Sequence, residues 1–562
     1  MAASLEGSSI ETNAADEHEQ EKQFQPLQAP QSREHDVNGV RRVCSGRSAR
    51  SSLERACSMS DGYSHHAVDH GALQESSKEE DSELGPVEEF VVRWNGPNDP
   101  GNPRNMHIAR KWAIVLILSL GAICVTCTSS MYTMTYGQLT KEFQCSRIVA
   151  TLGLSFFILG LGIGPLFLAP LSEYFGRRII YITSFSFFVI WLIPCAVAQN
   201  VETLLVARFL SGLSGSAFLS VAGGTVGDVF ERSQLAAPMM VYTASPFVGP
   251  ELGPLIGGFI CQNTSWRWVF YVLIMWAGTL VLLIFFFVPE TYHPVLLRRR
   301  AAQMRKETGD GRWRALNENL ELSLLQAVLR SLYRPMLLLI LEPMCLNLCI
   351  FSAVLLGILY LFFGAFQLVF SNVYGFSLSQ VGTSFLGLLV GMLIATCSDP
   401  IWRRNYTRLV VQHERKVGKP GEYEPEWRLP PAIAGAPLVT VGMFIFGWTI
   451  YSNVHWIVPI IGSMIFGIGN ILVYSGIFTF LVDAYPLYAA SALAANSFLR
   501  SSFGAAFPLF GNQMYKNLGY HWATSLLGFL TLALAPFPYL FFRYGKRIRN
   551  KSRFAATNST MP

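Results

Sequence analysis

Two ionic residues sit where charge is expensive. Arg208 falls in the apolar run 203–226 and Glu251 in the run 235–261, each long enough to cross a bilayer as one helix. A charge at mid-membrane costs roughly 2.5–3.5 kcal/mol on the insertion scale, so such residues face a partner or a cavity. Arg208 therefore needs a counter-charge or backbone carbonyls around it. Glu251 reads either as a proton carrier or cation-binding group, or as an acid hydrogen-bonded inside a helix bundle. A second set, Glu173, Arg177, Arg178 and Asp228, falls at the ends of apolar runs. It reads as an inner latch of ion pairs that form and break, or as solvated loop charges. Surface pairs are worth only about 0–1 kcal/mol, which suits a switch better than a staple.

The sequence around Glu251, "ASPFVGPELGPLIGGFI" (244–260), combines poor helix formers with a charge. Gly249, Gly253 and Gly257 recur every fourth residue along one stripe, with Gly258 beside them, and Pro246, Pro250 and Pro254 follow a neighbouring stripe. In lipid no hydrophobic force draws helices together, so small residues at this spacing let backbones approach. Each proline removes one helical hydrogen bond, which is tolerated only where protein or a water-lined cavity satisfies the freed carbonyl. The run predicts a bent helix packed against a neighbour and bordering the interior.

Further polar groups lie in later apolar runs. Glu342 and Asn347, Asn470 and Tyr474, and Asn496 and Arg500 are substrate-cavity candidates along with Glu251. A spacing of four places each of the last two pairs on one helix face. Glu342 precedes Pro343 and reads equally well as a helix entry; Asp483 is a candidate partner for Arg500.

These residues must be positioned by membrane helices. Of 562 residues 51% are hydrophobic and only 14% charged, and the mean hydropathy is +0.34. Soluble proteins carry roughly 25% charged residues. Twelve apolar runs are expected near 112–134, 148–170, 179–199, 203–226, 235–261, 268–288, 341–370, 379–399, 433–451, 456–481, 488–514 and 520–543, with a polar loop at 400–430. The chain divides into a disordered tail (1–110), a six-span half (111–288), a central loop (289–335), a second six-span half (336–543) and a C-terminal tail (544–562). The stretch "RRVCSGRSARSSLERACS" (41–58) is a solvated tail or a kinase target between Ser45 and Ser60. Cys124 and Cys127 form a mid-span CxxC that reads as packing, and Cys145 and Cys261 fall on loops where they could pair. No metal-ligand cluster, nucleophile–base set or GxxxxGK[ST] stands out, so an enzyme or an ATP-driven machine is not expected.

Lysine and arginine crowd at Arg177–Arg178, Arg298–Arg300, Arg403–Arg404, Lys416–Lys419 and Arg543–Arg553, all on one side of a twelve-span chain. The positive-inside rule puts that side, with both termini, in the cytoplasm. The net charge of +6 thus reports topology rather than a nucleic-acid partner. The halves echo each other: Glu173-x-x-x-Arg177-Arg178 follows the second run and Asp399-x-x-x-Arg403-Arg404 the eighth.

Several motifs resemble a known family. The segment at 244–260 resembles motif C, the antiporter signature of the major facilitator superfamily; "APLSEYFGRR" (169–178) resembles its motif A and "ARFLSGLSGS" (207–216) its motif B. "NGPNDPGNPRN" (95–105), "WRWVFY" (266–271), "PETYHPVLLRRRA" (289–301) and "SALAANSFLRSSFGAAFPLF" (491–510) resemble the fungal twelve-span drug:proton antiporter family, its polyamine and multidrug exporter branch above all. The likeness runs from about Trp94 to Arg549, with departures at Met106, Ala169, Glu173 and Tyr174. It implies an all-α major-facilitator fold of two six-helix halves. It also implies alternating access and proton-coupled export of drugs, toxic metabolites or polyamines, with no cofactor. Partners would be a small-molecule substrate, protons and lipid, and the setting a monomer in the plasma membrane. The motif B arginine, Arg208, is implicated in proton coupling, with Glu251 the second candidate; Gly249, Pro250, Gly253, Pro254, Gly257 and Gly258 carry the antiporter-motif packing. A narrow secondary-metabolite exporter and a non-transporting sensor are the alternatives.

Overall fold

The computed structural model describes residues 90–550 except 97, 232–233, 316–323 and 418–423, together with 552 and 554–555. The stretch from Ser45 to Ser60 lies outside the described residues.

Ten described runs are long and apolar enough to cross a membrane. The last, Pro486–Arg549, holds two spans, because helix Ala489–Leu534 breaks at Gly519, where φ is 76° and ψ 164°. That backbone is open to glycine and strained for other residues. One more helix, Ala236–Asn263, is long enough but its apolar character is diluted by three prolines, by glycines and by Glu251. Twelve spans result among the described residues. In the first half they are Ile108–Met131, Arg147–Phe175, Arg177–Val197, Val201–Val229, Ala236–Asn263 and Arg267–Phe287. In the second half they are Pro343–Tyr374, a pair of segments (Leu378–Ser384 and Leu386–Cys397), Pro430–Trp448, Ile457–Ala484, 489–518, and 520–534 continuing into Pro536–Arg549. Polar residues start several of them. Asn200 caps the fourth span by accepting the Thr203 N–H at 2.9 Å, and Ser377 with Gln380 forms a capping box at the eighth.

Within the first half the first span packs on the fifth and the second on the fourth; within the second half the seventh packs on the eleventh and the ninth on the tenth. The halves meet along the second and eleventh spans, where Ser155 Oγ donates to the Ala505 carbonyl at 2.6 Å, and along the fifth and eighth. At the end away from the basic clusters they are tied by side chains. Arg147 Nη2 donates to Gln367 Oε1 at 2.9 Å, Gln367 Nε2 to the Thr133 carbonyl at 2.8 Å, and the Ser379 N–H to Gln262 Oε1 at 2.8 Å.

Order begins earlier than the expected tail boundary at 110. Val91–Val92 pairs in parallel with Arg314–Ala315, and Val92, Ala301 and Ala315 form a small separate core. Asp99 anchors this layer: it accepts the Asn95 N–H and the Gly101 N–H, each at 2.8 Å, and pairs with Arg300 at 2.6 Å. The hydrogen bond from Arg300, with help from the two amides, holds the Asp99 carboxyl down at about 2. The central loop is also more ordered than its polarity suggests, since His293–Thr308 and Leu324–Leu341 are helices. The polar stretch after the eighth span continues as helix Asp399–Val417 rather than as loop. The C-terminal helix is clamped by a buried bidentate pair, Arg549 to Glu426, at 2.8 and 3.0 Å. Cys145 and Cys261 are both free thiols, as are Cys124 and Cys127.

Candidate functional site

A cavity of about 1220 Å³ lies between the halves and opens at the end that carries the basic clusters. Its walls come from both halves. The second and fifth spans contribute Pro165, Ala169, Glu173, Pro246 and Phe247, and the tenth and eleventh contribute Tyr474, Phe478, Asp483, Asn496 and Arg500. With the opposite end tied shut, the molecule is open on one side only.

The deep wall is built around an aromatic stack. The Phe247 ring, from the first half, stacks on Tyr474 with centroids 5.2 Å apart, and Tyr474 stacks on Phe478 at 5.6 Å. The guanidinium of Arg500 lies 5.5 Å from the Tyr474 ring and 5.2 Å from the Phe478 ring. Its Nε and Nη1 are buried and have no hydrogen-bond partner among the described residues. Ser352 of the seventh span ties this wall together: its hydroxyl donates to Asn496 Oδ1, and its carbonyl accepts from the Tyr474 hydroxyl at 3.3 Å.

Arg208 is handled differently. It is fully buried, and Nε donates to the Gly153 carbonyl at 3.2 Å and Nη1 to the Thr128 carbonyl at 3.1 Å. The guanidinium sits between the Tyr132 and Phe157 rings, 4.4 and 4.3 Å from their centroids. Carbonyls and ring faces thus take the place of a counter-charge. Arg208 does not line the cavity.

Glu251 is fully buried, and neither carboxyl oxygen has a hydrogen-bond partner among the described residues. The glycine stripe explains its position. Gly249, Gly253 and Gly257 face the first span so closely that a Cβ on Gly249 would lie 2.8 Å from the Ile123 carbonyl oxygen. Gly258 meets the eighth span, where a Cβ would lie 2.8 Å from the Leu378 carbonyl oxygen. The helix carrying Glu251, with Pro250 and Pro254 inside it, is therefore wedged between the first and eighth spans. The cavity's lining on this helix stops at Phe247, one turn or about 6 Å short of Glu251. Glu251, expected in the lining, sits just beyond its closed end.

At the basic end, Arg177 pairs with Asp228 at 3.4 Å and donates from Nη1 to Ser172 Oγ at 2.6 Å, while Arg178 Nη2 donates to the Phe285 carbonyl at 2.8 Å. Glu173 lies in the cavity wall. The residue that organises this corner is Glu290, the acid in "PETYHPVLLRRRA", to which the sequence alone gives no role. It accepts the backbone N–H groups of Arg177, Thr291 and Tyr292 at 2.9–3.0 Å and that of Arg178 at 3.3 Å. A carboxylate opposite the first N–H groups of a helix is the signal that could have found it.

Other expected cavity residues lie elsewhere. Glu342 precedes the seventh span and takes hydrogen bonds from the Tyr485 hydroxyl at 3.2 Å and the Ser552 hydroxyl at 2.7 Å; it is a helix entry that holds the C-terminal segment. Asn347 donates to the Pro343 carbonyl of its own helix at 2.8 Å, away from the cavity. Asn470 is fully buried behind the lining. Asp483 pairs with Arg428 at 2.6 Å, not with Arg500, because Arg428 reaches it first from the segment before the ninth span.

This arrangement has relatives. The family model for the Major Facilitator Superfamily matches residues 118–508. The chain is 54% identical over 500 residues to efflux pump atB of Aspergillus terreus, covering 89% of this chain and 97% of that protein. It is 41% identical over 454 residues to "Probable drug/proton antiporter YHK8" of Saccharomyces cerevisiae, covering 80% and 87%. Among solved structures, the inward-open xylose transporter XylE of E. coli superposes with a TM-score of 0.56 over 77% of this chain and 96% of that one, at 15% identity, a likeness of fold alone. Two six-helix halves around one cavity, a glycine stripe beside a buried acid and these relatives lead to one assignment: the chain belongs to the major facilitator superfamily, alongside the fungal drug-efflux transporters that these relatives represent.

Proposed function

We propose that the protein is a proton-coupled antiporter that exports small organic molecules from the cytoplasm by alternating access. The observation that carries this reading is the cavity itself: it is shared by both halves, open at the basic end, and closed one turn short of a buried, unpartnered carboxyl group. By the positive-inside rule the open side is cytoplasmic, with both termini there, and the plasma membrane is the site of export. Substrate enters from the cytoplasm. The closed end opens when the ties around Gln367 and Gln262 part, and the basic end then closes. Glu251 and Arg208 couple this cycle to protons, Glu251 as the carrier and Arg208 as the fixed charge that shapes its neighbourhood. Glu173, Arg177, Arg178 and Asp228 form the inner latch; its Arg177–Asp228 pair is already made with the basic end open, and closure adds the remaining contacts to it. One charge moved through 100 mV supplies roughly 2.3 kcal/mol. That is enough for about a 50-fold concentration ratio.

The test is efflux from yeast lacking its own pumps and loaded with a panel of fluorescent compounds, azoles and spermidine, with and without a protonophore. Protonophore-sensitive export is expected, lost in Glu251→Gln at unchanged surface expression. Export that survives Glu251→Gln would move proton coupling to another group. No export of any compound would favour a narrow metabolite exporter or a sensor.

A further inference from the structure

The charge balance of the cavity has a direction. Among the described residues six arginines line it: Arg298, Arg330, Arg334, Arg403, Arg428 and Arg500. Only three carboxylates do, Glu173, Asp399 and Asp483, and two of these are taken by arginines of the same wall, Asp399 by Arg403 at 2.5 Å and Asp483 by Arg428 at 2.6 Å. Six against three leaves three positive charges in excess. The buried acids that would offset them, Glu251 and Glu342, are not in the lining. A cavity with this balance repels a polyamine and attracts an anion.

Arg500 refines the inference. Its Cζ lies over the Tyr474 and Phe478 rings at 5.5 and 5.2 Å, and among the described residues it makes no ion pair and its Nε and Nη1 are buried without a partner. A guanidinium carries five N–H donors and neither ring takes one as a hydrogen bond, so an anion that reaches this group from the cavity finds donors still unused. Arg208 shows the contrast within the same protein: it too lies against two rings, but carbonyls occupy its Nε and Nη1. Arg500 alone of the two faces the cavity. Beside it, Phe247 and Phe478, the half-buried outer rings of a stack centred on the buried Tyr474, offer a surface for a flat apolar body.

We infer that the transported substrate class is the aromatic organic anion, its carboxylate taken by Arg500 and its ring laid against Phe478 and Phe247. The inference rests on the proposed export function but concerns the site rather than the energy source.

The experiment uses the purified full-length protein in nanodiscs for binding and in proteoliposomes with an imposed pH gradient for transport. Three probes share one ring system: 1-naphthoate, 1-naphthamide and 1-naphthylmethylammonium. The wild type is expected to bind the carboxylate at least tenfold more tightly than the amide or the ammonium. Arg500→Gln is expected to erase that preference with an unchanged melting temperature, and Arg500→Lys to restore part of it. The comparison among probes on the wild type stands even if a variant folds poorly. Equal binding of carboxylate and amide, a preference for the ammonium, or no binding of any probe at millimolar concentration overturns the anion site. Gradient-driven transport without anion preference keeps the export function and removes this inference. Carboxylate-selective binding lost in Arg500→Gln, with no gradient-driven transport, does the reverse.

Discussion

Arg208 and Arg500 are both intramembrane arginines set against aromatic rings, yet their surroundings differ in one respect. Arg208 is closed in by the first and second spans, whose carbonyls take its Nε and Nη1 and leave Nη2 buried without a partner among the described residues; Arg500 lies against two rings and borders the cavity. The first belongs to the fabric of the first half. The second is a charge held in place with hydrogen-bonding capacity left over. A charge in the membrane is thus not evidence of function by itself; what separates the two is that backbone carbonyls hold one and the cavity borders the other.

Substitution tests that contrast most sharply. Arg208→Ala would strip partners from the Gly153 and Thr128 carbonyls and leave a void between Tyr132 and Phe157. A loss of about 2–5 kcal/mol is expected, read as a fall in melting temperature of the purified protein. Arg500→Ala should cost less than about 1 kcal/mol; equal losses would break the comparison. Next, lysine should rescue only one of them. An ammonium cannot reach two carbonyls and fill a gap between two rings, so Arg208→Lys is expected to lose at least tenfold in transport rate, whereas Arg500→Lys keeps a cation for the substrate.

Smaller effects sharpen the picture. Glu251→Gln should leave the stability within about 0.5 kcal/mol of wild type, since the carboxyl oxygens have no partners among the described residues to lose. A large drop would mean that Glu251 is structural. Two of the ion pairs at the basic end differ as the arginines do. Arg177–Asp228 is nearly closed off, and Arg428–Asp483 is part-exposed at the cavity mouth. Double-mutant cycles on stability should give a coupling of about 1–2 kcal/mol for the first and under about 1 kcal/mol for the second. The smallest effect is local. Because Arg300 holds the Asp99 carboxyl at about 2, below its ordinary value of 3.8, the pair adds stability above about pH 4. That stability should be lost as pH falls from 4 toward 2. Hydrogen exchange in residues 90–107 should rise over that window, and Asp99→Asn should remove the pH dependence.

Much of this was legible in the amino-acid order. Twelve spans follow from apolar runs of bilayer length, and the glycine stripe at Gly249, Gly253 and Gly257 foretold a close helix contact, which proved to be with the first span. Both signals are local and periodic, and lipid allows few alternatives to a helix. The site was less legible. Spacing alone could not tell that Asn347 would turn back on its own helix or that Glu342 would hold the C-terminal segment. Nor could it show that Asp483 would meet Arg428 before Arg500.

The sequence by itself determined the class of the molecule: how many times it crosses the membrane, where its helices must touch, and which few residues carry charge into the bilayer. Only the tertiary structure decided what those charges do. Whether an arginine is tied to neighbouring carbonyls or borders a cavity depends on partners from distant spans: Gly153 and Thr128 for Arg208, and Phe478, Tyr474 and the cavity for Arg500. Helix formation is a property of a segment, whereas the satisfaction of a buried charge is a property of the packed whole.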